Sequence, residues 1–177
     1  AYAGIEKSAE VLGINIQGVS GINVQKIEVK EPRVGLYKPW LASMDEGWTR
    51  WIFDQYGFSY KNIDNAMMKM GKLSSNFDVI IIPALSKDVI IDGKWKPREG
   101  QMKYFTELPP EYAGGIGQEG VKNIKEFVEK GGTLVALSEA CNFVIDQFNI
   151  PVSNVLINEQ NDISPGSLLR IYVDTSH

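Results

Sequence analysis

The sequence contains one cysteine and one histidine in 177 residues. The cysteine is Cys141, so the chain can form no intrachain disulfide, and its cysteine usage does not identify a redox compartment. The histidine is His177, the last residue. A Ser-His or Cys-His pair needs an imidazole that a third group orients, and a chain end is a poor position for one. No segment has the HxxE or CxxC spacing of a zinc site. Histidine-dependent chemistry is therefore not expected within these residues.

Basic clusters and long apolar runs are scarce as well. The net charge of −4 and the pI near 5.1 argue against a nucleic-acid surface. The densest basic stretch, Lys94–Arg98, is short, and we interpret it as a solvent-exposed loop. No apolar run approaches the roughly 20 residues that span a bilayer. Residues 1–13 lack the basic start and long apolar stretch of a signal peptide. We therefore expect a mature product or a piece of a longer protein.

The proline of Glu31-Pro32 interrupts the sequence pattern and divides the chain into a short first part and a main domain. Residues 1–31 are predicted to be a connector or the tail of a preceding domain. They contain a helical pattern from Ile5 to Leu12 and two alternating segments, 14–19 and 24–29, that are typical of half-exposed strands. The main domain is expected over residues 32–177.

The main domain opens with a pattern typical of the first half of a βαβ unit. A short apolar run, 34–37, leads into Ser43 and Glu46, whose spacing is that of a helix capping box. Trp48 and Trp51 follow at helical spacing. We expect this pair to pack the helix against the sheet rather than to form a ligand platform.

Buried strands and amphipathic helices then alternate. Nearly uninterrupted apolar runs at 77–83 and 133–137 predict strands buried on both faces of a parallel sheet. Helices are predicted at 63–70, at 121–128 and after 140, and final strands at 154–157 and 168–173. The glycines of 114–117 are expected to make a tight turn before a helix, because they lack the order of a phosphate loop. Residues 86–112 are expected to be an irregular connection of unknown role. The alternation predicts an α/β sandwich around a mainly parallel sheet.

From Pro32 onward the sequence resembles the C-terminal region of a bacterial subgroup of zinc carboxypeptidases. The segments that carry the resemblance, in the same order, are PRVGLY, MDEGWTRW, FDVIIIP, PEYAGGIG, FVEKGGTLVAL and SPGSLLR. The resemblance implies a three-layer α/β/α sandwich with a flavodoxin-like, class I glutamine-amidotransferase-like sheet. It also implies that this domain is appended to a carboxypeptidase A-like metallopeptidase domain, with residues 1–31 as the connector.

By this resemblance the parent protein would be a zinc metallocarboxypeptidase whose metal is held by an HxxE…H arrangement. None of that arrangement is present here, so zinc is expected only in the absent peptidase domain, and no metal ligand is assigned in this chain. The expected partner is that peptidase domain, with a homo-oligomer as a further option. The resemblance alone suggests an exported, periplasmic or extracellular protein.

Catalytic relatives with this fold carry a cysteine nucleophile on the sharp turn after a buried strand, and a histidine further along. Here the turn position falls on Ser138, Cys141 follows three residues later, and no internal histidine exists. A serine without a base is a poor nucleophile. We interpret Ser138 as a helix N-cap and Cys141 as a small buried apolar residue, so no catalytic residue is assigned.

The leading hypothesis is a non-catalytic accessory domain that serves interdomain packing, oligomerisation or substrate positioning. The alternative is a small-molecule or peptide site at the carboxyl ends of the strands, the usual ligand position in open α/β sheets. The residues expected to converge in that pocket are Lys38, Trp40, Asp45, Glu46, Pro83, Ser138 and Glu139. Glu46 is expected to approach Ser138 and Glu139. The least favoured alternative is a thiol hydrolase that uses Cys141 as a reactive thiol.

Overall fold

The computed structural model describes residues 2–18, 20–21, 25, 30–95, 108–155, 170 and 172–173. The chain divides into two compact units, Ala1–Glu31 and Pro32–His177. In the first unit, helix α1 spans Tyr2–Leu12, and Gly13 ends it in the left-handed conformation with φ 65°. The predicted helix is thus confirmed. The strand expected from residue 14 is wrong, because residues 14–18 have no regular structure and pair with no described strand. The second alternating segment lies outside the described residues apart from Gln25.

The second unit is built from four strands and six helices within the described residues. They follow in the order β1 (Val34–Tyr37), α2 (Met44–Tyr56), β2 (Tyr60–Ile63), α3 (Asn65–Met70), α4 (Leu73–Asn76), β3 (Val79–Ile82), α5 (Lys87–Asp92), a 3-10 turn (Pro110–Tyr112), α6 (Gly117–Glu129), β4 (Thr133–Ala136) and α7 (Ala140–Phe148). All four strands are parallel, in the order β2-β1-β3-β4. The predicted α/β sandwich with a flavodoxin-like parallel sheet is confirmed.

The direction of the connections decides which face each helix covers. The chain moves outward from β1 to β2 and then returns across β1 to β3 and on to β4. Because such crossovers are right-handed, α2 lies on one face and the helices between β2 and β4 lie on the other. The second face holds the main core, in which Ile80 and Ile82 of β3 pack with α3 through α7. Phe127 and Phe143 are the largest helix side chains in that core.

Several local expectations need correction. Strand β2 was not expected, because its sequence, Tyr-Lys-Asn-Ile, is short and lacks apolar alternation. The helix predicted from Ile63 begins at Asn65 instead, where the Asp64 carboxylate accepts a hydrogen bond from Met67 N at 2.8 Å. Residues 86–112 include a regular helix, α5, capped by Ser86. The strand expected at 154–157 is not formed at 154 or 155, and the rest of it lies outside the described residues. The 168–173 segment lies outside them apart from Arg170, Tyr172 and Val173, which are not in a strand.

The expected packing of the tryptophan pair is wrong. Trp48 and Trp51 remain 57% and 52% exposed, and their rings meet edge to face with centroids 5.9 Å apart. The only buried residue of α2 is Glu46. The helix therefore turns its polar side toward the sheet and its aromatic side outward.

The turn before α6 has the role expected for its glycines. A Cβ at Gly115 would overlap the carbonyl oxygen of Ile90, so only glycine lets this turn lie against α5. The close approach of the turn allows Ile116 N to donate a hydrogen bond to that oxygen at 2.8 Å.

In the part of the chain that the structure describes, no helix is long and apolar enough to cross a bilayer.

Candidate functional site

A cavity of about 750 Å³ lies at the carboxyl ends of the strands, between the segments that follow β1 and β3. The chain leaves β1 toward β2 and returns to β3 on the other side, so this is the point at which the direction of winding reverses. Open α/β sheets bind ligands at such switch points, because the two diverging connections leave a crevice between them. The cavity therefore occupies the position at which this fold most often carries a site.

Polar and apolar side chains both line the cavity. The polar ones are Ser43, Asp45, Ser86, Asp88 and Glu139. The apolar ones are Leu41, Ala42, Met44, Ala84, Leu85, Val89 and Trp95. An apolar wall with a few polar groups is typical of pockets that bind small molecules or peptide side chains.

Three helix N-termini place the polar groups. The Ser43 hydroxyl accepts a hydrogen bond from Glu46 N at 3.1 Å at the start of α2, and Ser86 caps α5 in the same way through Val89 N at 3.4 Å. Asp45 and Asp88 lie in the first turns of these helices, and Glu139 directly precedes α7. Carboxylates are stabilised there by the positive end of the helix dipole.

The described part of the cavity lining is acidic. Three carboxylates and no lysine or arginine are among the described lining residues. The ammonium group of the neighbouring Lys87 pairs with the Asp146 carboxylate at 2.6 Å and also interacts electrostatically with Asp88. The other two carboxylates, those of Asp45 and Glu139, favour a cationic ligand over an anionic one.

Two of the seven predicted pocket residues, Asp45 and Glu139, line this cavity. Lys38 is exposed, and its backbone N–H bonds to Ile63 O at 2.9 Å. Trp40 packs edge to face on Tyr112, with ring centroids 5.1 Å apart. Pro83 is fully buried directly after β3. None of these three residues lines the cavity.

Glu46 does not join Glu139 in the cavity lining. It lies on the inward side of α2 with 4% of its surface exposed. Its Oε2 is 3.4 Å from the Arg50 guanidinium, and Oε1 has no hydrogen-bond partner among the described residues. The expected cluster of Glu46 with Ser138 and Glu139 is absent from the lining, because helical spacing turns Glu46 away from Asp45, its lining neighbour.

The interpretation of Ser138 as an N-cap is wrong. Its φ of 51° is left-handed rather than extended, and Glu139 lies between it and the first residue of α7. A non-glycine residue at positive φ, on a sharp turn from strand to helix, is the backbone geometry of a nucleophile elbow. The backbone of the elbow is thus present with a serine at its apex.

Cys141 is exposed rather than buried, contrary to expectation. Its Sγ lies 3.4 Å from the Ala136 carbonyl oxygen, back toward the end of β4. The error arose because α7 packs on the core through Ala140 and Phe143, which leaves Cys141 directed outward.

Sequence reasoning missed most of the lining, including Ser86, Asp88 and Trp95. A signal for the first two was present, since a serine followed within two residues by an aspartate is typical of a helix start. That start follows a buried strand, so it had to lie at the carboxyl edge. Nothing in the sequence pattern identified Trp95.

Across the ranges that the structure describes, no three His, Cys, Asp or Glu side chains are grouped so as to hold a metal ion. Comparison of the chain with family models, with curated proteins and with solved structures found no match.

Proposed function

We propose that the Pro32–His177 unit is a non-catalytic accessory domain of a zinc carboxypeptidase-like hydrolase, and that it positions substrate by holding a cationic side chain in the carboxyl-edge cavity. The observation that carries this proposal is the cavity itself, which lies at the switch point of the sheet. The link to a carboxypeptidase rests on the resemblance of six segments in the same order.

The lining supports a lysine or arginine side chain as the ligand. Asp45 and Glu139 supply negative charge from two separate segments. Arginine pairs well with carboxylates, because its planar guanidinium can donate two hydrogen bonds to one carboxylate. The apolar wall suits the methylene stem of either side chain.

The elbow supports a binding role over a hydrolytic one. Ser138 holds the apex, but the only histidine of the sequence is His177, outside the described residues. A serine hydroxyl stays protonated at neutral pH unless an adjacent base accepts its proton. Zinc belongs to the peptidase domain under this proposal, and no residue of this chain is assigned to it.

The ligand proposal is tested by titrating the full chain with acetyl-arginine amide and, separately, with acetyl-glutamate amide, followed by NMR or calorimetry. A single side chain should bind weakly, with a Kd on the order of 1 mM, which corresponds to about 4 kcal/mol. Glu139→Gln should weaken binding of the arginine compound about tenfold, because one charged contact is worth about 1.5–3 kcal/mol at most.

The matched control is Glu129→Gln, which changes an exposed carboxylate at the end of α6 and should leave the affinity unchanged. Equal binding of the arginine and glutamate compounds would contradict a cationic site. The parent assignment is tested separately by the gene that encodes this chain, in which an HxxE…H arrangement is expected upstream of Ala1.

One observation favours a second candidate, a thiol hydrolase that uses Cys141. Cys141 is an exposed residue at the start of α7, at the same edge of the sheet as the cavity. This candidate requires that the thiol react much faster than an ordinary exposed cysteine, which alkylation kinetics measure directly.

A further inference from the structure

Helix α2 carries a continuous apolar surface on its outward side. The residues of this surface, the α2 stripe, are Met44, Trp48, Trp51, Ile52 and Tyr56, with exposed fractions of 75%, 57%, 52%, 45% and 76%. They recur at spacings of three and four residues, so they share one side of the helix. Single exposed apolar residues are ordinary, but a patch of several bulky ones marks an interaction surface.

The opposite side of α2 makes the arrangement unusual. It directs Glu46 and Arg50 toward the sheet, and Phe53 is the one large apolar side chain among its partly buried residues. A surface helix normally does the reverse, with its apolar stripe on the core and its charges in water. Within Pro32–His177, α2 is also the one described helix on its face of the sheet. The domain thus keeps the best apolar surface of α2 available for contact.

We propose that the α2 stripe binds the α2 stripe of a second copy of this chain, which forms a two-fold symmetric dimer. The exposed area lies at the lower end of what a stable dimer needs. Aromatic side chains bury about 150–250 Å² each when fully covered, and the exposed parts of the five stripe residues together offer roughly 600–700 Å² per copy. Stable interfaces bury about 600–1,000 Å² per partner.

The composition of the stripe fits an interface core. Tryptophan, tyrosine and methionine are enriched at the centres of interfaces, and charged residues are depleted there. None of the five stripe residues is charged, but helical spacing places the exposed Asp45 on the same side, three residues before Trp48. Each copy therefore brings one carboxylate to the end of the contact.

The positions of the residues select an antiparallel pairing of the two helices. The two-fold axis then crosses the helix pair at the level of Arg50, on the side of the stripe. In this arrangement Met44 of one copy faces Tyr56 of the other, and Trp48 faces Ile52. Large and small apolar residues then alternate across the contact, as a self-complementary interface requires. The antiparallel arrangement also places opposite ends of the helix dipoles side by side.

This dimer would complete the cavity. Met44 belongs to the stripe and also lines the cavity. In the antiparallel pairing, Tyr56 of the second copy comes to Met44 and therefore to the cavity mouth. Each copy would contribute an aromatic ring to the site of the other.

Sedimentation velocity on the full chain tests the proposal. The mass should rise with concentration to twice 19.7 kDa. Trp48→Glu and Ile52→Glu should each raise the dimer dissociation constant at least a hundredfold. Val152→Glu, at a residue 58% exposed outside the stripe, is the matched control and should have no effect. Circular dichroism and the urea midpoint establish that each variant remains folded.

Crosslinking tests the orientation independently. In a Cys141→Ser background, a mixture of Met44→Cys and Tyr56→Cys chains should form disulfide heterodimers, whereas either variant alone should not crosslink. A chain that stays monomeric at all concentrations overturns the proposal. For such a monomer, quenching of tryptophan fluorescence by acrylamide shows what covers the α2 stripe instead. Protected tryptophans indicate another segment of the same chain, and accessible ones indicate a different protein as the partner. Crosslinking of Met44→Cys chains with each other would overturn the antiparallel arrangement.

Discussion

The hydrogen bond between Tyr37 and Asn65 should account for a measurable part of the domain's stability. Tyr37 is fully buried at the end of β1, and its hydroxyl donates to Asn65 Oδ1 at 2.6 Å. Asn65 is 4% exposed and donates in turn to the Gly114 carbonyl at 2.8 Å. The pair thereby ties β1, α3 and the turn before α6 together. Tyr37→Phe removes one hydroxyl and leaves the shape of the side chain unchanged.

The expected cost follows from the acceptor that remains. In the variant, Asn65 Oδ1 is buried without its partner, which costs about 1–3 kcal/mol of unfolding free energy. For a domain of this size the urea dependence is about 1–3 kcal/mol per molar, so the midpoint should fall by about 1 M. The Asn65–Gly114 bond stays, so the loss should not exceed this range.

Urea unfolding measured by circular dichroism gives the difference, and Tyr60→Phe is the matched control. The Tyr60 hydroxyl donates to the Asp54 carboxylate at 3.0 Å, but Asp54 is exposed, so water replaces the lost bond. Tyr60→Phe should therefore change stability by less than about 0.5 kcal/mol. If the two variants cost the same, the reasoning about a buried, unsatisfied acceptor is refuted.

The natural chain and Tyr37→Phe should also differ in how their stability depends on pH. Burial raises the pKa of Tyr37 far above its usual value, so the folded state keeps the phenol protonated. The stabilisation is complete below the unfolded-state pKa of about 10 and is lost as pH rises above it toward the folded value. The stability difference between the natural chain and Tyr37→Phe should therefore shrink above pH 10.

Four further predictions concern single positions. Hydrogen bonds from the Arg33 guanidinium and backbone lower the pKa of Asp78 to about 2. The Asp78 carboxylate therefore stabilises the fold above pH of about 4, and this contribution is lost as pH falls toward the folded value. The deficit of Asp78→Asn in urea midpoint should be present at neutral pH and absent near the folded pKa. Iodoacetamide should alkylate Cys141 at the rate of free cysteine, and saturable, much faster labelling would favour the thiol hydrolase instead. Gly35→Ala should cost about 1–3 kcal/mol in urea unfolding, because its Cβ would overlap a side chain of β2. Gly47→Ala, whose Cβ would meet nothing within 4 Å, should instead stabilise α2 by about 0.5–1 kcal/mol, and a loss there would contradict the packing described.

The elements that the sequence predicted well are those whose signal is local. The 77–83 run is β-branched over most of its length, and the α6 region repeats apolar residues at helical spacing, so each fixes its own type of structure. Ser43 and Gly57 cap α2 as their residue types predict. Strand β2 was missed because an edge strand that is half exposed needs little apolar sequence of its own.

The candidate site was predictable only in position. The expectation of a pocket at the carboxyl edge requires no more than the order of strands and helices, and Asp45 and Glu139 follow from it. Which other side chains reach the cavity depends on the rotation of each helix about its axis. The rotation of α2 places Met44 and Asp45 in the lining of the cavity and buries Glu46 on the inward side of the helix.

The sequence by itself determined the class of fold, the scarcity of imidazole and thiol groups, and the edge of the sheet at which a site would lie, since all three depend on composition and periodicity. Only the tertiary structure decided that α2 faces the sheet with its polar side, that Ser138 takes a left-handed turn, and that Cys141 is exposed. A sequence pattern shows which residues share a side of a helix. The packing of the whole domain decides which side is turned inward.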